Sequence, residues 1–188
     1  MPDAQLALVE PSLERLSDYA DALQRGWSSD TTRDEARFDE LESIANDPAT
    51  FISVLRDAYA KKPPLRLPDG SYVPRLPGFR RWMWDGEFAG SIGLRWQEGT
   101  PLLPPWCFGH IGYGVVPWKR RRGYATAALA LMLPEARAVG LPYVLVTTTA
   151  DNVPSQCVIL ANGGVFIEHF DLGSAHEEGD GMRYRIDL

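Results

Sequence analysis

Four consecutive cations, Lys119, Arg120, Arg121 and Arg122, stand between an apolar stretch stopped by Pro117 and a long apolar stretch that begins at Ala125. Gly112, Tyr113, Gly114, Val115 and Val116 read as the end of a strand that spans 108–116, and residues 126–139 read as a helix closed by Gly140. A strand that feeds a helix through a short cationic turn is a strong constraint on the fold, because it fixes where the helix begins. A helix N-terminus presents unpaired N–H groups and the positive end of a dipole, and both attract anions. Gly123 and Ala125 leave the backbone open to a close approach. The arrangement suits a pyrophosphate, although neither GxxxxGK[ST] nor GxGxxG is present. Taken alone, four cations read as a solvated basic turn; the strand before and the apolar helix after favour an anion site.

The cluster is local. Lys+Arg 19 against Asp+Glu 25 gives a net charge of −6, which argues against broad nucleic-acid or anionic-membrane binding. The chain has 188 residues, 45% hydrophobic and 23% charged, the profile of one soluble globular domain. We read 1–79 as a variable strand, helices and loop, 80–171 as the core, and 172–188 as a closing hairpin. Cys107 and Cys157 lack metal-ligand spacing, and His110, His169 and His176 are scattered, so no metal is expected. Cys157 reads as a core helix residue. Residues 125–134 form the longest apolar stretch, well short of the ~20 needed to cross a bilayer. The start of the chain lacks a signal-peptide pattern, and a cytoplasmic location is expected.

Along the chain, 5–9 reads as a strand, and 13–23, 34–46 and 48–60 as helices, the last with Asp47 as cap and Pro48 in its first turn. Residues 61–79 are rich in Pro and Gly and read as a long connecting loop that either covers a site or is simply mobile. A hairpin turns at Asp85-Gly86 between 80–84 and 88–96. Trp82 and Trp84 share one face of their strand, most simply a core face. The helix over 126–139 is apolar nearly all round, which predicts burial, with a kink at Pro134. A strand over 143–149, a helix over 153–162 and an antiparallel pair over 165–171 and 182–186 follow, with a solvated acidic loop at 176–180. Strands and helices mix without strict alternation, so the fold class is α+β, or α/β with a mixed sheet.

A second constellation is Asp151-Asn152-Val153-Pro154-Ser155 with Asn162-Gly163-Gly164. Helix capping alone accounts for most of it. Together with Gly109-His110-Ile111-Gly112-Tyr113, Val115, Pro117 and Arg120-Arg121-Arg122-Gly123-Tyr124-Ala125, however, it resembles the GNAT superfamily of acyl-CoA-dependent N-acyltransferases. The family motif [QR]-x-x-G-x-[GA] is matched at 120–125, and the resemblance is specific from about residue 88 to 165.

The resemblance implies a mostly antiparallel central sheet, splayed at an acyl-CoA wedge and flanked by helices. It implies that N–H groups of Arg121, Arg122, Gly123, Tyr124, Ala125 and Thr126 hold the pyrophosphate, beside Arg120. Tyr113, Gly114 and Val115 would pair with pantetheine, one N–H there polarising the thioester, while Asn152 and Ser155 line the same arm. The implied reaction is acetyl transfer from acetyl-CoA, without a metal, to a primary amine of a small molecule or peptide, by a monomer or homodimer. The family's usual acid and base do not carry over, because Ile159 stands at the Tyr position and Thr147 at the Glu position. His110 is the candidate catalytic residue that remains, with Tyr113 as a further acid candidate. The rival reading is a catalytically silent acyl-CoA-binding sensor or interaction domain.

Overall fold

The computed structural model describes residues 6–30, 33–61, 63–66, 70–171 and 180–188. Its centre is a sheet ordered β1-β5-β6-β7-β8-β10-β9. β1 is Ala7–Val9, β5 Gly78–Trp84, β6 Phe88–Arg95, β7 Ile111–Val115, β8 Tyr143–Thr149, β9 Val165–Asp171 and β10 Asp180–Asp187. Neighbours run antiparallel except β7 and β8, which are parallel. That is the mixed, mostly antiparallel sheet expected.

The parallel pair is also where the sheet comes apart. β7 and β8 share a single ladder position, Ile111 with Val146, and beyond it the β7 edge that faces β8 has no strand partner among the described residues. Just below, the His110 N–H donates to the Leu145 carbonyl at 2.7 Å. The Leu145 N–H in turn donates to His110 Nδ1 at 2.9 Å. The imidazole thus stands in for a missing rung and pins the apex of a wedge.

Each sheet face has its own core. On one face α4 (Tyr124–Ala138) and α5 (Val153–Ala161) cover Ile92, Leu94, Val144 and Val146. On the other, α1 (Leu16–Gln24), α2 (Ala36–Asn46) and α3 (Pro48–Val54) enclose an aromatic cluster. Tyr19 stacks on Trp82 with centroids 4.9 Å apart and meets Trp27 and Phe88 edge-on at 5.6 and 5.2 Å. Burying each such side chain contributes about 1.5–3 kcal/mol. Trp82 and Trp84 do share this face, while Met83 between them joins the opposite core.

Several sequence expectations are corrected. α3 stops at Val54 rather than at residue 60, because Arg56–Asp57 (β2) leave the helix to pair with Gly78 and Phe79 of β5. The 61–79 segment is not all loop: Leu65–Arg66 (β3) and Tyr72–Val73 (β4) pair as a small ribbon, and β5 already begins at Gly78. β7 starts three residues later than 108, since His110 bonds to Leu145 instead of to a regular ladder. α4 begins two residues early, and only a stripe of it is buried: Ala128, Leu129, Met132 and Ala136 face the core, whereas Leu131 is 45% exposed. A helix lying on a sheet as the outer layer has one dry side. It also runs on through Pro134, which tops its exposed face, so water can satisfy the carbonyl freed at Ala130. Cys157 is exposed rather than in the core. The acidic loop at 176–179 lies outside the described residues.

Candidate active site

A cavity of about 1620 Å³ runs through the wedge. Tyr113, Gly114, Val115, Arg120, Arg121, Gly123, Tyr124, Ala125, Thr126, Asn152 and Ser155 all line it. The structure therefore gathers eleven of the candidate residues around one space. Arg122 and His110 stand apart from it.

At one end the site is backbone. Arg121 and Gly123 both have left-handed backbone, φ 60 and φ 75, so the turn curls and aims successive N–H groups to one side. For Arg121 this conformation costs about 1–2 kcal/mol. Gly123 is the N-cap of α4 and supplies no side-chain cap, so the first N–H groups of the helix lack a side-chain acceptor. Nothing lies within 4 Å of where a Gly123 Cβ would sit. The donor set, the open cradle and the positive helix end fit a pyrophosphate. A further polar atom awaits a partner: Thr148 lines the cavity and its Oγ1 is buried without a hydrogen bond.

The four cations of the turn are not equivalent. Lys119 is 7% exposed, and its Nζ reaches Asp85 Oδ1 at 2.6 Å and Glu87 Oε2 at 3.2 Å. Tyr124 donates its hydroxyl to Asp85 Oδ2 at 2.6 Å. Burial opposes ionisation of Asp85, but the hydrogen bonds from Lys119 and Tyr124 outweigh it and hold the carboxyl below its usual range. The hairpin turn at Asp85 is thereby tied to both sides of the basic turn. Arg120 Nε donates to the Val115 carbonyl at 3.3 Å, fastening the turn to the end of β7.

Asn152 and Ser155 combine capping and lining. The Ser155 N–H donates to Asn152 Oδ1 at 3.2 Å, so the Asn152 side-chain N–H₂ is not used in the cap, and Asn152 lines the cavity. Ser155 Oγ is 2.9 Å from the Tyr113 hydroxyl across the wedge. Burial raises the Tyr113 pKa and the Ser155 hydrogen bond only partly offsets it, so the phenol keeps its proton at neutral pH. Asn162 works elsewhere, donating to the carbonyls of Thr126 and Val158 and tying α5 to the start of α4. Ile159 is fully buried in the α4–α5 core, while Thr147 lines the cavity.

His110 is fully buried, and its pKa is lowered to about 4, by desolvation first and by the Arg95 charge. Nδ1 accepts from Leu145, so in the neutral ring the proton resides on Nε2. Nε2 makes no hydrogen bond of good geometry, although the Pro101 carbonyl nearby still favours a proton. Cys107 lines the cavity, but burial raises its pKa, so it stays a thiol.

Sequence reading missed the opposite end of the cavity, where side chains from α2, β5 and β6 converge. Glu40 Oε2 accepts from Tyr19 at 2.5 Å and Oε1 from Ser29 at 2.7 Å, and Arg80 Nη1 lies 3.4 Å from Oε1. Burial, reinforced by Glu40, raises the Tyr19 pKa, so it donates. Those partners are separated by 21, 11 and 40 positions, and no local motif connects them.

Residues 74–165 match the model of the acetyltransferase (GNAT) domain. Those 92 of the 188 residues match a GNAT acetyltransferase domain, which points to the acetyltransferase class. No curated protein matches it in sequence. Among solved structures it is similar to the microcin C7 self immunity acetyltransferase MccE in complex with acetyl-CoA and AMP: 13% identity over 100% of this chain and 98% of the other, TM-score 0.64. RimJ of Mycobacterium smegmatis, in complex with CoA-disulfide, is 19% identical over 100% and 84%, TM-score 0.68. Spermidine N-acetyltransferase from Vibrio cholerae, in complex with CoA and spermine, is 14% identical over 97% and 95%, TM-score 0.63. At these identities the likeness is one of fold. Among the described residues no group of three or more His, Cys, Asp or Glu could hold a metal, and no helix is long and apolar enough to cross a membrane.

Proposed function

We propose that this chain transfers an acetyl group from acetyl-CoA to a primary amine of a small molecule or peptide by direct attack. The observation that carries the reading is the wedge itself: an unpartnered β7 edge that leads to an uncapped helix N-terminus. Acetyl-CoA supplies an acetyl thioester. The N–H groups of Tyr124, Ala125 and Thr126, with Arg120 and Arg121, hold its pyrophosphate. The open edge of β7 at Tyr113, Gly114 and Val115 pairs with an extended chain of amides, as an unpaired strand edge does. A backbone N–H there polarises the thioester carbonyl, an interaction worth about 3 kcal/mol in comparable sites. The Asn152 side-chain N–H₂ donates to the same arm.

An alkylamine has a pKa near ~10.4 and arrives as ammonium. Its nitrogen must shed two protons as the amide forms. Glu40, the carboxylate facing the acceptor end, takes one and passes it to water. Tyr113, protonated and aligned by Ser155, delivers a proton to the departing sulfur and recovers one from the amide nitrogen. His110 holds the wedge apex in this reading rather than acting as base, since its one lone pair is taken by Leu145. The Tyr113–Ser155 pair supplies the acid that Ile159 does not, which favours an active enzyme over a silent binding domain. Amine-dependent release of free thiol from acetyl-CoA across a panel of amines tests this. Steady release supports it; tight acetyl-CoA binding with no release by any amine refutes it.

A further inference from the structure

The acceptor face of the sheet carries a cation, Arg95, that no described residue neutralises. Gly93 of β6 pairs with Arg80 on β5 and with Gly112 on β7, so two glycines form a bare floor beside the wedge apex. Two arginine side chains lie over it. Arg80 Cγ is 3.5 Å from where a Gly93 Cβ would sit, and Arg95 Nη2 is 3.2 Å from where a Gly112 Cβ would sit. The Arg95 N–H bonds to the His110 carbonyl at 2.9 Å, which places it one residue from the apex pair Ile111–Val146. Floor and arginines all line the cavity.

Arg80 already reaches Glu40 at 3.4 Å. Among the described residues the Arg95 guanidinium has neither an ion pair nor a hydrogen bond. Its charge is still felt nearby, since it adds to the burial that lowers the His110 pKa and partly offsets the burial that raises the Cys107 pKa. The carboxylates lining that end are engaged elsewhere: Glu40 as above, Asp57 with the Lys61 N–H at 2.8 Å, and Asp30 with Arg33 at 3.7 Å. The phosphates of acetyl-CoA belong at the other end of β7, three residues away at ~3.3 Å per residue.

Resting on the acetyl-transfer reading, we propose that the acceptor is a zwitterionic amine whose carboxylate or phosphate is bound by Arg95 over the Gly93–Gly112 floor, its ammonium facing Glu40. A guanidinium presents a planar fork that matches two oxygens of either anion. The same fork repels a polycation, so polyamines are poor acceptors here. The anion comes from a small amino-phosphate or amino acid, or from an acidic residue beside a peptide N-terminus.

The experiment compares kcat/KM, read as thiol release from acetyl-CoA, for matched acceptors. O-phosphoethanolamine is set against ethanolamine, a peptide beginning Ser-Asp against one beginning Ser-Lys, and spermidine stands as the polycation. In at least one pair the anionic member is favoured by about 10-fold or more, the scale of a charge-assisted hydrogen bond. The preferred pair identifies the source of the anion. In Arg95→Gln that ratio collapses through KM, and Arg95→Lys restores part of it. Equal or better turnover of the neutral or polycationic acceptors, or a ratio that survives in Arg95→Gln, overturns the proposal. If no amine is turned over although acetyl-CoA binds, the transferase reading fails separately. Calorimetric titration of O-phosphoethanolamine and the Ser-Asp peptide into the CoA-bound protein then reads the anion site alone. Binding by wild type that Arg95→Gln loses supports the site; no difference overturns it.

Discussion

The two ends of the cavity offer a ligand different groups. At the β7–α4 end the groups on offer are backbone N–H groups, and side chains such as Asp85, Lys119 and Arg120 hold the backbone in place. At the α2–β5–β6 end the backbone is a glycine floor, and the side chains of Glu40, Arg80 and Arg95 are the polar groups on offer. A backbone site presents the same donors whatever side chains surround it, and so suits a constant ligand. A side-chain site changes chemistry with one substitution, and so suits the variable acceptor.

Substitutions at the two ends should therefore fail differently. The largest effect is expected for Asp85→Ala, which leaves Lys119 buried with only Glu87 as partner. Removing one member of a buried pair costs about 3 kcal/mol or more, which lowers Tm by about 6–12 °C at this chain length. Acetyl-CoA affinity should fall with it, because Asp85 also orients the start of α4. Unchanged melting would mean that the phosphate turn holds itself without the hairpin. Tyr113→Phe comes next: kcat should drop on the order of 100-fold, a typical contribution from a positioned proton donor, with acetyl-CoA affinity nearly retained. A kcat within threefold of wild type would remove Tyr113 as the acid.

At the other end, Glu40→Gln keeps one acceptor oxygen for Tyr19 or Ser29 and turns its N–H₂ toward the other hydroxyl as a donor, but loses the charge. The acceptor kcat/KM should fall about 10-fold, with calorimetric acetyl-CoA binding unaltered. Equal loss of both would show that the two ends are not separable. The smallest effect is electrostatic. His110 has a folded pKa of about 4, below the ordinary ~6.5, so the unfolded chain binds the extra proton first. Its contribution to stability is complete above pH ~6.5 and is lost as the pH falls toward 4. Urea unfolding across that range should show stability declining in wild type and a flatter profile in His110→Gln.

The same division governs what could be read from the sequence. The phosphate turn was legible because its determinants lie within a few residues: Pro117 ends the strand, Gly123 opens the backbone, and apolar residues mark the helix. Capping by Asn152 and the positions of Trp82 and Trp84 were legible for the same local reason. Lys119 read as one of four equivalent cations of the turn because its partner Asp85 is 34 positions away. The role of His110 depends on Leu145, 35 positions distant, and the Glu40 cluster spans α1, α2 and β5. Helix limits failed where tertiary pairing competed with propensity, as at Arg56, which β5 captures from α3. The one-sided burial of α4 follows from its place as an outer layer, which periodicity alone does not reveal.

The most direct test of the account is calorimetric titration of acetyl-CoA into wild type and Gly123→Glu. Position 123 has open space around it, so the variant can fold at a modest backbone cost while placing an anion at the cradle. Two unit charges about 4 Å apart near a protein surface interact by about 4 kcal/mol. The account predicts clear binding to wild type and binding at least about 100-fold weaker to the folded variant. Equal affinity in both, or none in wild type, would contradict it and return Arg120, Arg121 and Arg122 to the status of a solvated turn.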